Sequence, residues 1–205
     1  MGTRRAATRV SSFMRFLCLL LALACLAAPP ALAGPAAKPA TMRDMAGHIH
    51  QIPDPHAKAT VLFFVATDCP YSNGSAPAMK ALVKKYGAQG VDFYFVYPSP
   101  FTSAAQAKKH AAAYGFAAPC ILDAHQTLTR DCAATTTPEA FVFGPAGKLY
   151  YHGRIDDEYD AVGVQRTLIT KHDLADALDA VLAGRAPSEA YAPPVGCTIP
   201  PLPRG

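Results

Sequence analysis

The run Val61-Leu62-Phe63-Phe64-Val65-Ala66 ends at Asp68-Cys69-Pro70, and the pattern then changes period. A continuous apolar run with β-branched and aromatic residues reads as a buried strand. Met79, Leu82, Val83 and Tyr86 recur at helical spacing, so a helix follows. The switch puts Cys69 at a helix N-terminus. Unpaired N–H groups and the positive end of the helix dipole favour an anion there. For cysteine that anion is the nucleophilic thiolate. Asp68, Tyr71, Ser72 and Asn73 around it are polar, unlike the surroundings of a cysteine that only fills a core. Asp68 opposes the effect, because a neighbouring carboxylate disfavours a second negative charge.

The rest of the chain alternates strands and helices. His48-Ile49-His50-Gln51-Ile52 predicts an edge strand, closed by Pro53-Asp54-Pro55. The helix after Cys69 runs to Tyr86 with Gly87 as its stop. Pro77 inside it must occupy a first turn or produce a kink. Residues 91–97 predict a second central strand. Ser103 and Gln106 form a capping box for a helix that ends at Gly115. Short strands are predicted at 120–123 and 140–143, with a brief helix holding Leu128 between them. Gly144-Pro145-Ala146-Gly147 is a turn before a return strand at 148–152. Thr170 and Asp173 read as caps of a last helix. Its apolar face is Leu174, Ala177, Leu178, Val181 and Leu182, and Gly184 stops it. This order predicts an α/β fold with helices on both faces of the sheet, plus antiparallel strands from the hairpin.

The 205-residue chain has a formal net charge of +4. Arg4, Arg5, Arg9 and Arg15 precede the apolar stretch 16–28, and Ala31-Leu32-Ala33 is a small-x-small site. Residues 1–33 therefore read as an export signal. The apolar stretch is shorter than the roughly 20 residues that span a bilayer. Cleavage near Ala33 predicts a periplasmic or secreted protein. Leu23-Ala24-Cys25 weakly resembles a lipoprotein box, with Ala22 where Leu is usual, so lipid anchoring at Cys25 is the lesser alternative. Arg4-Arg5 matches a twin-arginine signal only in the pair itself. Residues 34–44 read as a flexible leader, 45–185 as the folded domain and 186–205 as a Pro-rich tail. Without the signal's arginines the chain is close to neutral. With no Lys/Arg cluster, nucleic acid is not an expected partner. Cys69, Cys120, Cys132 and Cys197 remain after cleavage, in a compartment where disulfides persist. Four cysteines allow three complete pairings. A local Cys120–Cys132 bridge is one expectation, with a stabilisation of about 3 kcal/mol. Cys197, on the tail, is the possible partner of Cys69.

Three features together resemble the thioredoxin superfamily over about 45–185. They are the strand into Cys69-Pro70, Thr137-Pro138 before Glu139-Ala140-Phe141-Val142-Phe143, and the Gly-turn hairpin before a C-terminal helix. The resemblance implies a thioredoxin-like fold, a central mixed β-sheet flanked by helices. It also implies a cis peptide at Pro138, packed against Cys69. The stretches 69–72, 137–142, 153–159, 170–174 and 196–199 are similar to exported bacterial redoxin-domain proteins. These are related to the alkyl hydroperoxide reductase/thiol-specific antioxidant and TlpA-like groups.

The activity implied is thiol–disulfide exchange or thiol oxidation with Cys69 as nucleophile. Pro138 would shape the substrate groove and keep metals off the thiolate. Ser72 or Tyr71 would hydrogen-bond the sulfur, Arg154 would lower its pKa, and Cys197 would be the resolving thiol. No cofactor or bound metal is implied. The implied partners are protein or small-molecule thiols and disulfides, peroxide, and a membrane-associated redox protein. The chain has no Cys-x-x-Cys-His, so no covalent haem is expected.

The departures shape the alternatives. Ser72 stands where a dithiol thioredoxin has its second cysteine, so release needs a distant cysteine or an external thiol. Typical peroxiredoxins carry Thr or Ser three residues before the cysteine and an arginine near the strand at 139. Here Ala66 holds the first place, Thr67 is one residue closer, and Arg154 is the nearest arginine. A peroxiredoxin-like peroxidase is the second expectation. A non-catalytic module holding a client or a metal is the third. His48, His50 and His152 raise the metal version, resembling Sco-like copper proteins, but Asn73 occupies the position of their second cysteine.

Overall fold

The computed structural model describes residue 2 and residues 37–204. The signal segment, its cleavage near Ala33 and the lipidation alternative at Cys25 lie outside the described residues.

Strands β1 (Ala40–Arg43) and β2 (Ile49–Ile52) form an antiparallel hairpin with Ala40 opposite Ile52. Its turn is held by Asp44, whose carboxylate accepts from the N–H groups of Ala46 and His48 at 2.9 Å each. Two expectations change here. The leader at 34–44 is ordered structure from Ala40 onward, and Ala37 N already donates to Gly147 O at 2.8 Å. The strand at 48–52 belongs to this hairpin and not to an edge of the central sheet.

Next come β3 (Ala59–Phe64), α1 (Pro70–Gly74), α2 (Ala76–Gly87), β4 (Val91–Tyr97), α3 (Ala104–Tyr114), β5 (Cys120–Leu122) and α4 (Thr127–Cys132). They are followed by β6 (Thr136–Thr137), β7 (Glu139–Phe143), β8 (Leu149–Gly153), β9 (Tyr159–Ala161), β10 (Val164–Gln165), α5 (Asp173–Leu182), β11 (Tyr191–Ala192) and β12 (Cys197–Thr198). The central sheet has the order β11-β8-β7-β3-β4-β5. Strands β3, β4 and β5 are parallel, and β7 runs antiparallel to both β3 and β8. It is a mixed sheet flanked by helices, a thioredoxin-like architecture.

The alternation of side chains on the strands sorts the core into two layers. Val61, Phe63, Phe93, Phe95, Ala140 and Val142 pack with residues of α2, α3 and α5. Leu62, Phe64, Tyr94, Val96, Phe141 and Phe143 face the other way, onto Ile52, Leu128 and Ile199. The expectation of helices shared between the two faces is thus modified. The β3-α2-β4 and β4-α3-β5 crossovers advance in one direction along the sheet. Right-handed connections then put both helices on one face. The hairpin, short α4 and the tail cover the opposite face.

Local signals account for the helix ends. Ser103 Oγ accepts from Gln106 N at 3.3 Å while Gln106 Oε1 accepts from Ser103 N at 2.8 Å, a complete capping box. Gly115 ends α3 at φ 67. The long helix expected after Cys69 is broken at Ser75, and Pro77 lies in the first turn of the second piece, where its missing N–H costs nothing. Thr170 does not cap α5. His172 precedes the helix, and the Thr170 hydroxyl donates to Asp157 at 2.6 Å.

Candidate active site

Cys69 is the residue before α1, with φ −86 and ψ 113, and it is 1% exposed. Its Sγ–H donates to Thr137 O at 3.0 Å, and Sγ lies 3.5 Å from the Ser72 N–H. Ser72 is buried, and its hydroxyl accepts from Ala66 N at 3.3 Å. The Thr137–Pro138 peptide is cis. Buried Glu139 braces this turn, accepting at Oε2 from Thr135 N at 3.1 Å and Thr136 N at 3.3 Å.

The tail completes the site. Strand β12 pairs antiparallel with β6, Cys197 opposite Thr137. Thr137 Oγ1 donates to Cys197 O at 3.4 Å, and Ile199 N to Thr135 O at 2.9 Å. The pairing sets Cys197 beside the Cys69 site, because Thr137, opposite Cys197, is the residue whose carbonyl oxygen accepts from the Cys69 thiol. The tail is therefore not a loose segment. It also adds β11 to the sheet beside β8, and Ile199 is buried.

Burial raises the Cys69 pKa. Hydrogen bonds outweigh it, from the Cys197 thiol first, then from the Ser72 N–H and hydroxyl, then from Thr137, and the net direction is down. Cys197 moves the other way, pushed up to about 12 by burial, then by the hydrogen bond to Cys69 and the charges of Cys69 and Asp68. Of the two sulfurs, Cys69 is the more readily ionised. Helix α1 is a bare turn and a half, so local donors, not a long dipole, carry the effect. The Asp68 charge is among the causes that raise Cys197.

A cleft of about 500 Å³ opens beside this pair. Thr67, Asp68, Phe101 and Gln106 line it, and Thr137 and Cys197 lie at its inner end. Thr67 O accepts from Asn73 Nδ2 at 3.5 Å.

Three sequence expectations land elsewhere. Arg154 is not at the sulfur: Nε and Nη2 bond the Asp173 carboxylate at 2.8 and 3.3 Å, tying the end of β8 to the start of α5. Tyr71 does not bond the sulfur either. Its hydroxyl accepts from Gly163 N at 2.7 Å, and its ring meets Tyr159 edge-on at 4.9 Å. Cys120 and Cys132 do not form a bridge. Both are free thiols, Cys120 in the core layer of the long helices and Cys132 against the opposite layer. Burial pushes the Cys120 thiol up to about 11 and raises Cys132 further.

The structure also adds residues. His110, buried on α3, holds Asn73 Oδ1 at 2.8 Å through Nε2 and the Tyr97 hydroxyl at 2.9 Å through Nδ1. Asn73 N in turn donates to Cys69 O at 3.0 Å. The available signal was the spacing of His110 with Ala107 and Ala111, a polar residue on the buried side of a helix. Burial holds the His110 pKa down. The histidines weighed as metal ligands have other partners: His48 and His50 share Asp44 at 3.2 and 2.9 Å. His152 lies on β8, 3.5 Å from Glu139. Among the described residues no group of three or more His, Cys, Asp or Glu side chains is arranged to hold a metal ion.

The family described as AhpC/TSA matches residues 33–152. The chain belongs to the AhpC/TSA family. This AhpC/TSA protein is similar in structure to an uncharacterized conserved protein from Geobacillus kaustophilus. The TM-score is 0.75 and the identity 27%, over 84% of this chain and 94% of that one. A hypothetical protein from Sinorhizobium meliloti 1021 gives TM-score 0.72 and 25% identity, over 82% and 93%. The thioredoxin domain of a thiol-disulfide oxidoreductase from Bacteroides vulgatus shares the fold, with TM-score 0.54 and 16% identity over 72% and 95%. No curated protein matches the chain. The AhpC/TSA membership and the shared fold make this a thioredoxin-like redox protein, an oxidoreductase in general class.

Proposed function

We propose that this AhpC/TSA protein is an exported thiol–disulfide oxidoreductase that works with Cys69 as nucleophile and Cys197 as resolving thiol. The reading is supported by the strand pairing that sets Cys197 opposite Thr137, the residue whose carbonyl oxygen accepts from the buried Cys69 thiol, and by the lowered Cys69 pKa. The tail supplies the second sulfur that Ser72 cannot. The Cys69 thiolate attacks a partner disulfide, the partner's other sulfur leaves, and Cys197 then displaces the partner from Cys69. The protein ends as a Cys69–Cys197 disulfide and the partner as a dithiol, two electrons having moved. Pro138 shapes the groove beside the sulfur. Partners are protein or small-molecule disulfides, and a membrane-associated redox protein returns the electrons. Export is supported by the basic, apolar and small-residue pattern of residues 1–33.

Peroxide is the weaker substrate in this reading. Ala66 has no hydroxyl to offer it, and Arg154 is engaged by Asp173. The test is reduction of a dithiobis(nitrobenzoate) substrate by the wild-type chain, Cys69→Ser and Cys197→Ser. Loss of exchange in Cys69→Ser, and arrest of Cys197→Ser as a stable mixed disulfide, are the expected results. Full exchange by Cys69→Ser would sink the reading.

A further inference from the structure

Strand β6 presents a two-residue edge, Thr136–Thr137, directly before Pro138, and β12 occupies it in register. An extended segment added to such an edge gains main-chain hydrogen bonds and delivers alternate side chains to one side. Here the delivered side chain is a cysteine, and it meets Cys69. Gly196 shows what the edge demands of the residue before that cysteine. Its backbone is not in the left-handed region, so conformation does not require glycine. Space does: a methyl group there would overlap the Thr137 carbonyl oxygen, lie 2.7 Å from its carbon and 3.1 Å from Pro138 N. The far end of the strand is pinned by buried Gln126, whose Nε2 donates to Pro200 O at 2.6 Å and Pro98 O at 3.2 Å. With the strand in place Cys69 is covered. The cleft continues outward from Thr137 and Cys197 to Phe101, which is 68% exposed. That gives room for residues flanking a partner cysteine.

We propose that the Thr136–Thr137 edge is a peptide-binding edge, that Gly196–Cys197 is its built-in ligand, and that it selects partner segments with glycine immediately before the reacting cysteine. The partner class is an extended polypeptide bearing a Gly-Cys disulfide. This rests on Cys69 as nucleophile. The tail strand lifts off, the partner segment takes its place, and the Cys69 sulfur bonds the partner cysteine as that cysteine's disulfide breaks. The leaving partner sulfur departs as thiolate. The tail then returns, and Cys197 displaces the partner cysteine from Cys69, its proton passing to the released thiolate.

Two peptides test the edge on the full chain, Thr-Gly-Cys-Thr and Thr-Ala-Cys-Thr, each activated as the thionitrobenzoate disulfide. The glycine peptide is expected to react about tenfold faster or more, the discrimination one misfitted methyl can give. Gly196→Ala is expected to expel the strand, so iodoacetamide labels Cys69 about tenfold faster at about pH 9.5, where ordinary thiols are ionised. Gln126→Ala, which frees the other end, moves the rate the same way by less. Equal peptide rates with Cys69-dependent exchange would overturn the edge selection alone, as would unchanged labelling in both variants. Exchange that survives Cys69→Ser would overturn the nucleophile on which it rests.

Discussion

Cys69 and Cys197 stand far apart in the chain and meet at Thr137; Cys120 and Cys132 are close in the chain and lie against opposite layers of the core. The difference shows what governs a thiol. Cys120 starts β5 and Cys132 ends α4, and the β-sheet between those layers separates their side chains. Burial disfavours charge at each, and nearby carboxylates add to it, Asp44 at Cys120 and Asp131, Asp123 and Glu139 at Cys132, so both pKa values rise. Cys69 is buried as well, yet donors surround it and its thiolate is favoured. Burial alone disfavours a thiolate; burial with aimed donors favours it.

The largest effect is expected from mutation of each sulfur. Cys69→Ser is expected to lower disulfide exchange to the uncatalysed level, while Cys120→Ser and Cys132→Ser leave it unchanged. Activity loss in either control would place that cysteine in the cycle. Next is differential alkylation with peptide mass spectrometry. The oxidised protein is expected to hold a Cys69–Cys197 bridge, with Cys120 and Cys132 labelled only after denaturation. A Cys120–Cys132 bridge would contradict the two-layer core.

The pH profile of Cys69 alkylation sharpens the electrostatic half. Its inflection is expected below the ordinary value of about 8.5, because the thiolate is the favoured form. Cys197→Ala removes the first of the donors and is expected to move that inflection up. No shift would mean that the Cys197 thiol does not hold the thiolate.

Arg154→Ala is expected to cost about 2 kcal/mol of stability, because it leaves the Asp173 carboxylate without its partner, and to leave the Cys69 inflection in place. Chemical denaturation and the same alkylation profile read the two effects separately. The smallest effect concerns His110. Its folded pKa is lowered by burial, so the unfolded chain takes up a proton first as pH falls. Stability is complete above about 6.5, the ordinary histidine value, and drops below it. His110→Gln is expected to flatten that acid arm in denaturation curves taken from pH 7 to 5.

Much of the fold is legible in the sequence. The buried run into Cys69, strand β4, the capping box of α3 and the apolar stripe of α5 are local patterns whose period or cap chemistry has one reading. Thr137-Pro138 before an apolar strand marked the turn that packs on the sulfur. The illegible parts depend on approach between distant segments. Arg154 next to Asp156 and Asp157 looked like a site residue, but Asp173, at the start of α5, claims it. Thr170 had the chemistry of a cap, but Asp157 takes its hydroxyl. His110 and Asn73 are on different helices, and nothing in either segment names the other.

The main strands and long helices, the place of Cys69 after β3 and the absence of a neighbouring second cysteine at Ser72 follow from short-range periodicity and residue chemistry. Only the tertiary structure decided which sulfur meets Cys69 and which face each helix covers. Those outcomes depend on crossover handedness, on strand pairing at the edge of Thr137 and on the space a glycine leaves beside a carbonyl, and each joins atoms that the chain keeps far apart.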